Sequence, residues 1–158
     1  DGDGEDTFAV RRGKTFYVMN ELVGGNADSE FMYGRVGDEV LVGDWDGDGE
    51  DTFAVRRGKT FYVMNELIGG NADSEFMYGR EGDEVFVGNW DGKPGDTFAV
   101  RRGDTFYLND QLIGGVASNN YTIEVPAEFR NPDDAVFLVG DWDGDGIDTL
   151  AINGMAAK

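Results

Sequence analysis

A 45-residue repeat that recurs almost unchanged, hairpins that are apolar on both faces, and glycine-rich turns without helical periodicity together predict an all-β fold. The architecture they predict is a propeller-like array of four-stranded antiparallel blades. Asp1-Gly-Asp-Gly-Glu-Asp-Thr-Phe-Ala-Val recurs at Asp46 and, altered, at Asp91 and Asp143. Starts at 1, 46, 91 and 143 give steps of 45, 45 and 52 residues, so the third unit carries an insertion. Residues 1–45 and 46–90 differ only at Val23/Ile68, Val36/Glu81, Leu41/Phe86 and Asp44/Asn89, as a recent duplication would leave them. Residues 1–158 are therefore read as a single repeat domain, with units of about 1–45, 46–90 and 91–142 and a partial unit 143–158. Each unit is one supersecondary element that buries its faces against its neighbours.

Each unit reads as four short strands. The first is Glu39-Val-Leu-Val-Gly-Asp-Trp45, followed by an acidic glycine-rich loop and then by Thr52-Phe-Ala-Val-Arg-Arg57. Gly58-Lys59 makes a two-residue hairpin turn, with glycine where φ must be positive. Thr60-Phe-Tyr-Val-Met64 is the third strand, and the fourth runs from about Glu75 to Arg80 after a Gly69-Gly70 loop. The turn fixes the register: Arg57 opposite Thr60, Val55 opposite Tyr62, Phe53 opposite Met64. Alternation then puts Phe53, Val55, Tyr62 and Met64 on one face and Ala54, Arg56, Phe61 and Val63 on the other. Both faces are substantially apolar, so both should be covered by further sheets. Three full sets of strands are present, and the chain starts and stops within units. Incomplete blades are expected at both ends, completed by self-association as a dimer or array, or by flanking sequence if the chain is a mature fragment.

Composition narrows the function. With 40% hydrophobic residues the chain can build a core. There are 32 acidic against 13 basic residues, a net charge of −19, which disfavours nucleic acid and anionic lipid as partners. No apolar run reaches membrane-spanning length, so no membrane insertion is expected. His and Cys are absent, which removes Ser-His-Asp chemistry, cysteine nucleophiles, disulfides and the usual zinc and copper sites. Two carboxylates can hydrolyse glycosides without His. Such a site needs its acid and its base in different settings, whereas duplication makes copies of one setting. The chain is expected not to be an enzyme.

The acidic loop carries the strongest chemical signal. Asp44-Trp-Asp-Gly-Asp-Gly-Glu-Asp51 places carboxylates at positions 1, 3 and 5 and glycine at 6, the opening of an EF-hand-like calcium loop. Alternate residues of a tight loop turn oxygens inward, and calcium prefers six to eight of them. The expected metal residues are Asp44, Asp46, Asp48, Glu50 (through its carbonyl) and Asp51. In the intact copy they are Asp141, Asp143, Asp145, Ile147 (through its carbonyl) and Asp148. The cofactor expected is Ca2+, magnesium fitting less well because of its stricter geometry. In the third copy, Asn89-Trp-Asp-Gly-Lys-Pro-Gly-Asp96, an ammonium at position 5 should exclude the ion. Lys93 either bridges Asp91 and Asp96 in the metal's place or points to solvent. The first copy lacks position 1.

Val42-Gly-Asp-Trp-Asp-Gly-Asp-Gly-Glu-Asp-Thr-Phe-Ala-Val55 resembles the FG-GAP or VCBS-type repeat, in which a calcium loop joins the first two strands of a propeller blade. Integrin α-subunit propellers and a fungal seven-bladed lectin carry similar loops. The Gly-Asp-Trp-Asp-Gly-Asp-Gly wording, with Arg-Arg-Gly after it, is similar to repeats in secreted actinobacterial proteins. The family usually has its last Asp at position 9, where this chain has Thr52 and Thr149, with Asp51 and Asp148 one residue early. The resemblance implies a secreted or cell-surface module for adhesion, glycan binding or protein binding.

Three further groups stand out. Trp45, Trp90 and Trp142 at loop position 2 are expected between blades, the alternative being sugar-stacking platforms. One Arg of each pair, as in Arg56-Arg57, should lie among aromatics and the other outside. Asn26, Asp28, Tyr33 and Arg35, with their copies Asn71, Asp73, Tyr78 and Arg80, form a second candidate set, suited to a sugar or to an ordinary polar loop. The functional expectation is a non-catalytic, extracellular, calcium-stabilised module that binds a glycan or cell-surface protein. The alternative is a structural stalk or self-assembling array.

Overall fold

The computed structural model describes Glu5, residues 7–124 and residues 135–153. Among these residues the fold is all-β, with thirteen strands and no helix long and apolar enough to cross a membrane. The insert before Asp134 and most of the first acidic loop lie outside the described residues.

The strands form four antiparallel meanders. The first sheet holds β1 (Ala9–Arg12), β2 (Thr15–Val18) and β3 (Ser29–Met32). The second holds β4 (Glu39–Gly43), β5 (Thr52–Arg57), β6 (Thr60–Val63) and β7 (Ser74–Met77). The third holds β8 (Glu84–Gly88), β9 (Thr97–Arg102), β10 (Thr105–Leu108) and β11 (Asn119–Thr122). The fourth pairs β12 (Val136–Gly140) with β13 (Thr149–Asn153). Gly58 takes a φ of 61° at the β5–β6 turn, as a two-residue hairpin requires. The register follows: Arg57 opposite Thr60 and Val55 opposite Tyr62, while Met64 N–H donates to Phe53 O at 3.2 Å. The last strand of the unit is shorter than the sequence indicates, ending at Met77, because Gly79 turns the chain with a φ of 68°.

Successive sheets pack face to face, and the core is three clusters between them. Phe53, Val55 and Met64 of the second sheet meet Phe16 and Val18 of the first. The opposite face, Ala54, Phe61 and Val63, meets Phe98 and Val100 of the third. A third cluster joins Phe86, Ala99 and Phe106 to Phe137 on β12. The same ring pair recurs at two joints: Phe16 and Phe53 are 4.5 Å apart, Phe61 and Phe98 4.6 Å. Burying one such ring contributes about 1.5–3 kcal/mol. Both faces of the β5–β6 hairpin are covered, as their apolar pattern requires, whereas Val42 on β4 stays exposed.

Gly43 and Gly88 mark how closely the sheets approach. A Cβ on Gly43 would lie 2.9 Å from Val87 Cγ1, and one on Gly88 2.9 Å from Val139 Cγ1, so no larger residue fits. Beside β1 the neighbouring sheets leave a cleft of about 470 Å³, lined in part by Phe16, Val18, Val40, Val42 and Phe53.

The arginine doublets clamp the links between sheets. Arg11, in the first sheet, donates to the carbonyls of Asp38 (2.7 Å) and Arg35 (2.7 Å) in the link to the second. Arg57, in the second sheet, grips the Asp38 carboxylate from the other side through Nε at 2.9 Å and Nη2 at 2.6 Å. The next link repeats this: Arg56 donates to Asp83 O and Arg80 O, and Arg102 holds the Asp83 carboxylate. Both members of a doublet are thus engaged, and the second is not simply a solvent-exposed charge as the sequence led us to expect. Arg56 lies over Phe61 and Arg57 over Tyr62. Burial alone would raise the Asp38 carboxyl; the Arg57 hydrogen bonds and the Arg35 N–H outweigh it and hold the carboxyl below its ordinary value.

Candidate metal centres

Two loops gather three aspartates each. Carboxylate oxygens of Asp44, Asp46 and Asp48 lie within 4.8 Å of one another, and so do those of Asp141, Asp143 and Asp145. Each loop joins the first two strands of a sheet, β4 to β5 and β12 to β13. The Asp at position 1 organises its own loop. Asp44 Oδ1 accepts from Gly47 N–H at 2.7 Å and Asp48 N–H at 3.1 Å, and Oδ2 accepts from Gly49 N–H at 2.9 Å. Asp141 accepts from Gly144, Asp145 and Gly146 at the same three distances. The turn needs glycine: Gly47 and Gly49 sit at φ 79° and 92°, Gly144 and Gly146 at 78° and 85°. The Gly146 N–H, with those of Gly144 and Asp145, keeps the Asp141 carboxyl below its ordinary value and ionised.

Chemically, each loop offers hard, anionic oxygens on a pre-turned backbone, the donor set that magnesium or calcium takes and that thiophilic metals do not. Three carboxylates this close repel one another, and a cation between them removes that repulsion. The residues present therefore fit a divalent metal.

One expected ligand makes its hydrogen bonds outside its own loop. Asp148 reaches back to the preceding sheet: its Oδ2 accepts from Asn89 N–H at 2.8 Å, and its own N–H donates to Asn89 O at 2.7 Å. Asp96 makes the same two bonds to Asp44, at 3.0 and 2.5 Å. The position-8 carboxylate thus ties one loop to the next. Asp51, in the same repeat position, lines the cleft on the side of the first sheet. Glu50 and Ile147 donate their N–H groups to Asp48 Oδ1 and Asp145 Oδ1, both at 2.9 Å, which fixes the position-7 backbone where a carbonyl ligand is expected. Burial raises the Asp96 carboxyl, and the charges of Asp51, Asp148 and Asp44 raise it further.

The third loop keeps the turn without the trio. Asn89 Oδ1 accepts from Gly92 N–H at 2.9 Å, in the place of Asp44. Lys93 Nζ pairs with Asp91 Oδ2 at 2.5 Å and lowers its carboxyl. Lys93 does not bridge to Asp96, whose carboxylate belongs to the Asp44 loop.

Trp45 and Trp90 are buried between sheets, and Trp45 lies 4.8 Å from Phe98. Trp142 departs from that expectation, at 58% exposed. Within the second candidate set, Tyr33 and Tyr78 are buried, and Tyr78 O–H donates to Tyr107 O at 2.9 Å, so neither ring offers a face to a sugar. Burial pushes the Tyr78 hydroxyl up to about 12. Asp28 and Asp73 close their own turns, accepting from Asn20 and Asn65 N–H at 2.8 Å. Asn26, Asn71, Arg35 and Arg80 remain exposed. The Asp38 and Asp83 clamps were missed, although Gly37-Asp38 and Gly82-Asp83 recur in register with the arginine doublets.

Searches against protein-family models, curated proteins and solved structures find no match to this chain.

Proposed function

We propose that this chain is a non-catalytic, calcium-stabilised repeat module of an extracellular protein, with its sheets arranged as propeller-like blades in the manner of FG-GAP or VCBS-type repeats. The observation that carries this reading is the pair of aspartate trios on turns of identical hydrogen bonding. Calcium is the ion of choice because the trios offer hard carboxylate oxygens and the exposed sides of the loops leave room for water to complete its loose, high-coordinate geometry. Its work is structural: each trio lies where a sheet meets its neighbour, so neutralising the trio strengthens the joint. Adhesion to a glycan or cell-surface protein is the role that repetition serves. The exposed Asn26 and Asn71 occupy equivalent loops of successive sheets and supply repeated polar contacts.

Titration calorimetry on the 158-residue chain tests the metal reading. Two calcium sites are expected, with Asp46→Asn and Asp143→Asn each removing one. Absence of binding heat, together with an unchanged melting temperature in chelator, overturns it. A glycan array in calcium buffer tests the adhesive role, and an empty array sinks the sugar-binding part.

A self-assembling array is the second reading, favoured by the exposure of Trp142 at a position buried twice elsewhere in the chain.

A further inference from the structure

The joint between sheets is built from two half-surfaces that recur through the chain. One is the face a sheet turns toward the preceding sheet. In the second sheet it comprises Phe53, Val55 and Tyr62, in the third Phe98, Val100 and Tyr107. The other is the face turned toward the following sheet, where Leu41 and Trp45 sit in the second sheet and Phe86 and Trp90 in the third. Within the chain these halves meet, and Trp45 lies 4.8 Å from Phe98.

Among the described residues each half also occurs once without its complement. On the first sheet, Phe8 and Val10 hold the places of Phe98 and Val100, yet they are 71% and 52% exposed, Phe8 at the strand end where it also borders the cleft beside β1. On the fourth sheet, Leu138 and Trp142 hold the places of Leu41 and Trp45, yet they are 44% and 58% exposed. Gly140 adds an independent sign. Gly43 and Gly88 are glycine because a valine and an aspartate of the following sheet press against them. Gly140 keeps the glycine, but the three atoms nearest a Cβ there all belong to its own Trp142, with no valine or aspartate of another sheet among them. Among the described residues no further sheet covers this face of the fourth sheet.

We propose that the outward face of β12–β13 in one copy docks on the outward face of β1–β2 in a second copy, with Trp142 against Phe8 as Trp45 stands against Phe98. The occupant is a second copy because the receiving surface has the same residues, in the same register, as the surface that buries Trp45 inside the chain. The contact is heterologous, so copies join head to tail into a ring or an open chain according to the rotation at each joint. The inference deepens the self-assembly reading. It stands on sheet packing and not on occupancy of the acidic loops. The net charge of −19 opposes the contact, so it tightens as salt screens the repulsion.

The test is sedimentation velocity on the 158-residue chain in excess calcium and moderate salt, with Trp142→Arg and Phe8→Arg as variants. Both side chains are exposed, so both variants fold, and circular dichroism verifies it. Wild type is expected to form concentration-dependent oligomers. Each variant alone loses association by at least about 30-fold, as truncation of a central aromatic anchor does. An equimolar mixture of the two recovers a dimer and nothing larger, because each variant retains the half that the other lacks. A wild-type monomer at up to about 1 mM overturns the proposal. So does a mixture that stays monomeric, or a variant that associates as wild type does. Calcium binding by the wild type is measured alongside: two bound ions with no association of the wild type rejects the docking and leaves the metal reading intact.

Discussion

Two tryptophans at the same loop position should behave oppositely when truncated. Trp45 is 5% exposed and wedged against Phe98, whereas Trp142 is 58% exposed. Replacing a buried tryptophan with alanine removes its transfer free energy and leaves a cavity, together about 3–5 kcal/mol. One term runs the other way. Trp45 Nε1 is buried with no hydrogen-bond partner among the described residues, and deleting an unpaired buried donor recovers about 1 kcal/mol. The net cost of Trp45→Ala is therefore about 2–4 kcal/mol, which lowers Tm by about 5–15 °C in a chain of this size. Trp142→Ala, measured at high dilution so that association contributes nothing, should stay within about 0.5 kcal/mol of wild type. Thermal melts followed by circular dichroism in excess calcium make the comparison. Equal losses from the two variants would refute the packing argument, since they would mean that the sheet interface does not set the cost.

Two further outcomes follow from the loops and the clamps. Restoring the acidic pattern in the third loop with Asn89→Asp, Lys93→Asp and Pro94→Gly should raise calorimetric calcium stoichiometry by one; unchanged stoichiometry would show that the turn and the trio do not suffice for binding. Asp38→Asn should cost about 1 kcal/mol near neutral pH, a figure kept low because the Arg57 partner is partly exposed to solvent. The Asp38 carboxyl is lowered in the folded state, so its contribution is fully present above the unfolded value of about 3.9 and is lost as pH falls through the folded value. The gap between wild type and Asp38→Asn should therefore close on acidification, as read by urea unfolding in chelator between about pH 7 and about pH 3. A constant gap would show that the ion pair contributes nothing.

What the sequence reveals is what lies within one hairpin. Gly58-Lys59 sets the β5–β6 register because a two-residue turn leaves no alternative, and the two apolar faces follow by alternation. The trios are equally legible, their spacing being a property of one short loop. Contacts between units are another matter. Asp96 and Asp148 sit next to their own acidic loops in sequence, so spacing assigns them there. Their actual partners are 52 and 59 residues away and become neighbours only when sheets stack. Tyr33 and Tyr78 mislead for a related reason: each follows a strand in a polar stretch, and only the next sheet covers the ring. Trp142 errs in the opposite sense. Its surroundings in sequence match those of Trp45, yet among the described residues no sheet lies over it as the third lies over Trp45.

The arginine doublets bear on how such a chain can change length. The two guanidiniums of one doublet reach in opposite directions, Arg56 to the link that follows its sheet and Arg57 to the link that precedes it. A 45-residue unit copied in frame therefore arrives with both halves of its own fastenings, and the new junctions need no compensating substitutions. A unit copied whole can thus keep its lettering in its new place, as residues 46–90 keep that of residues 1–45 at all but four positions.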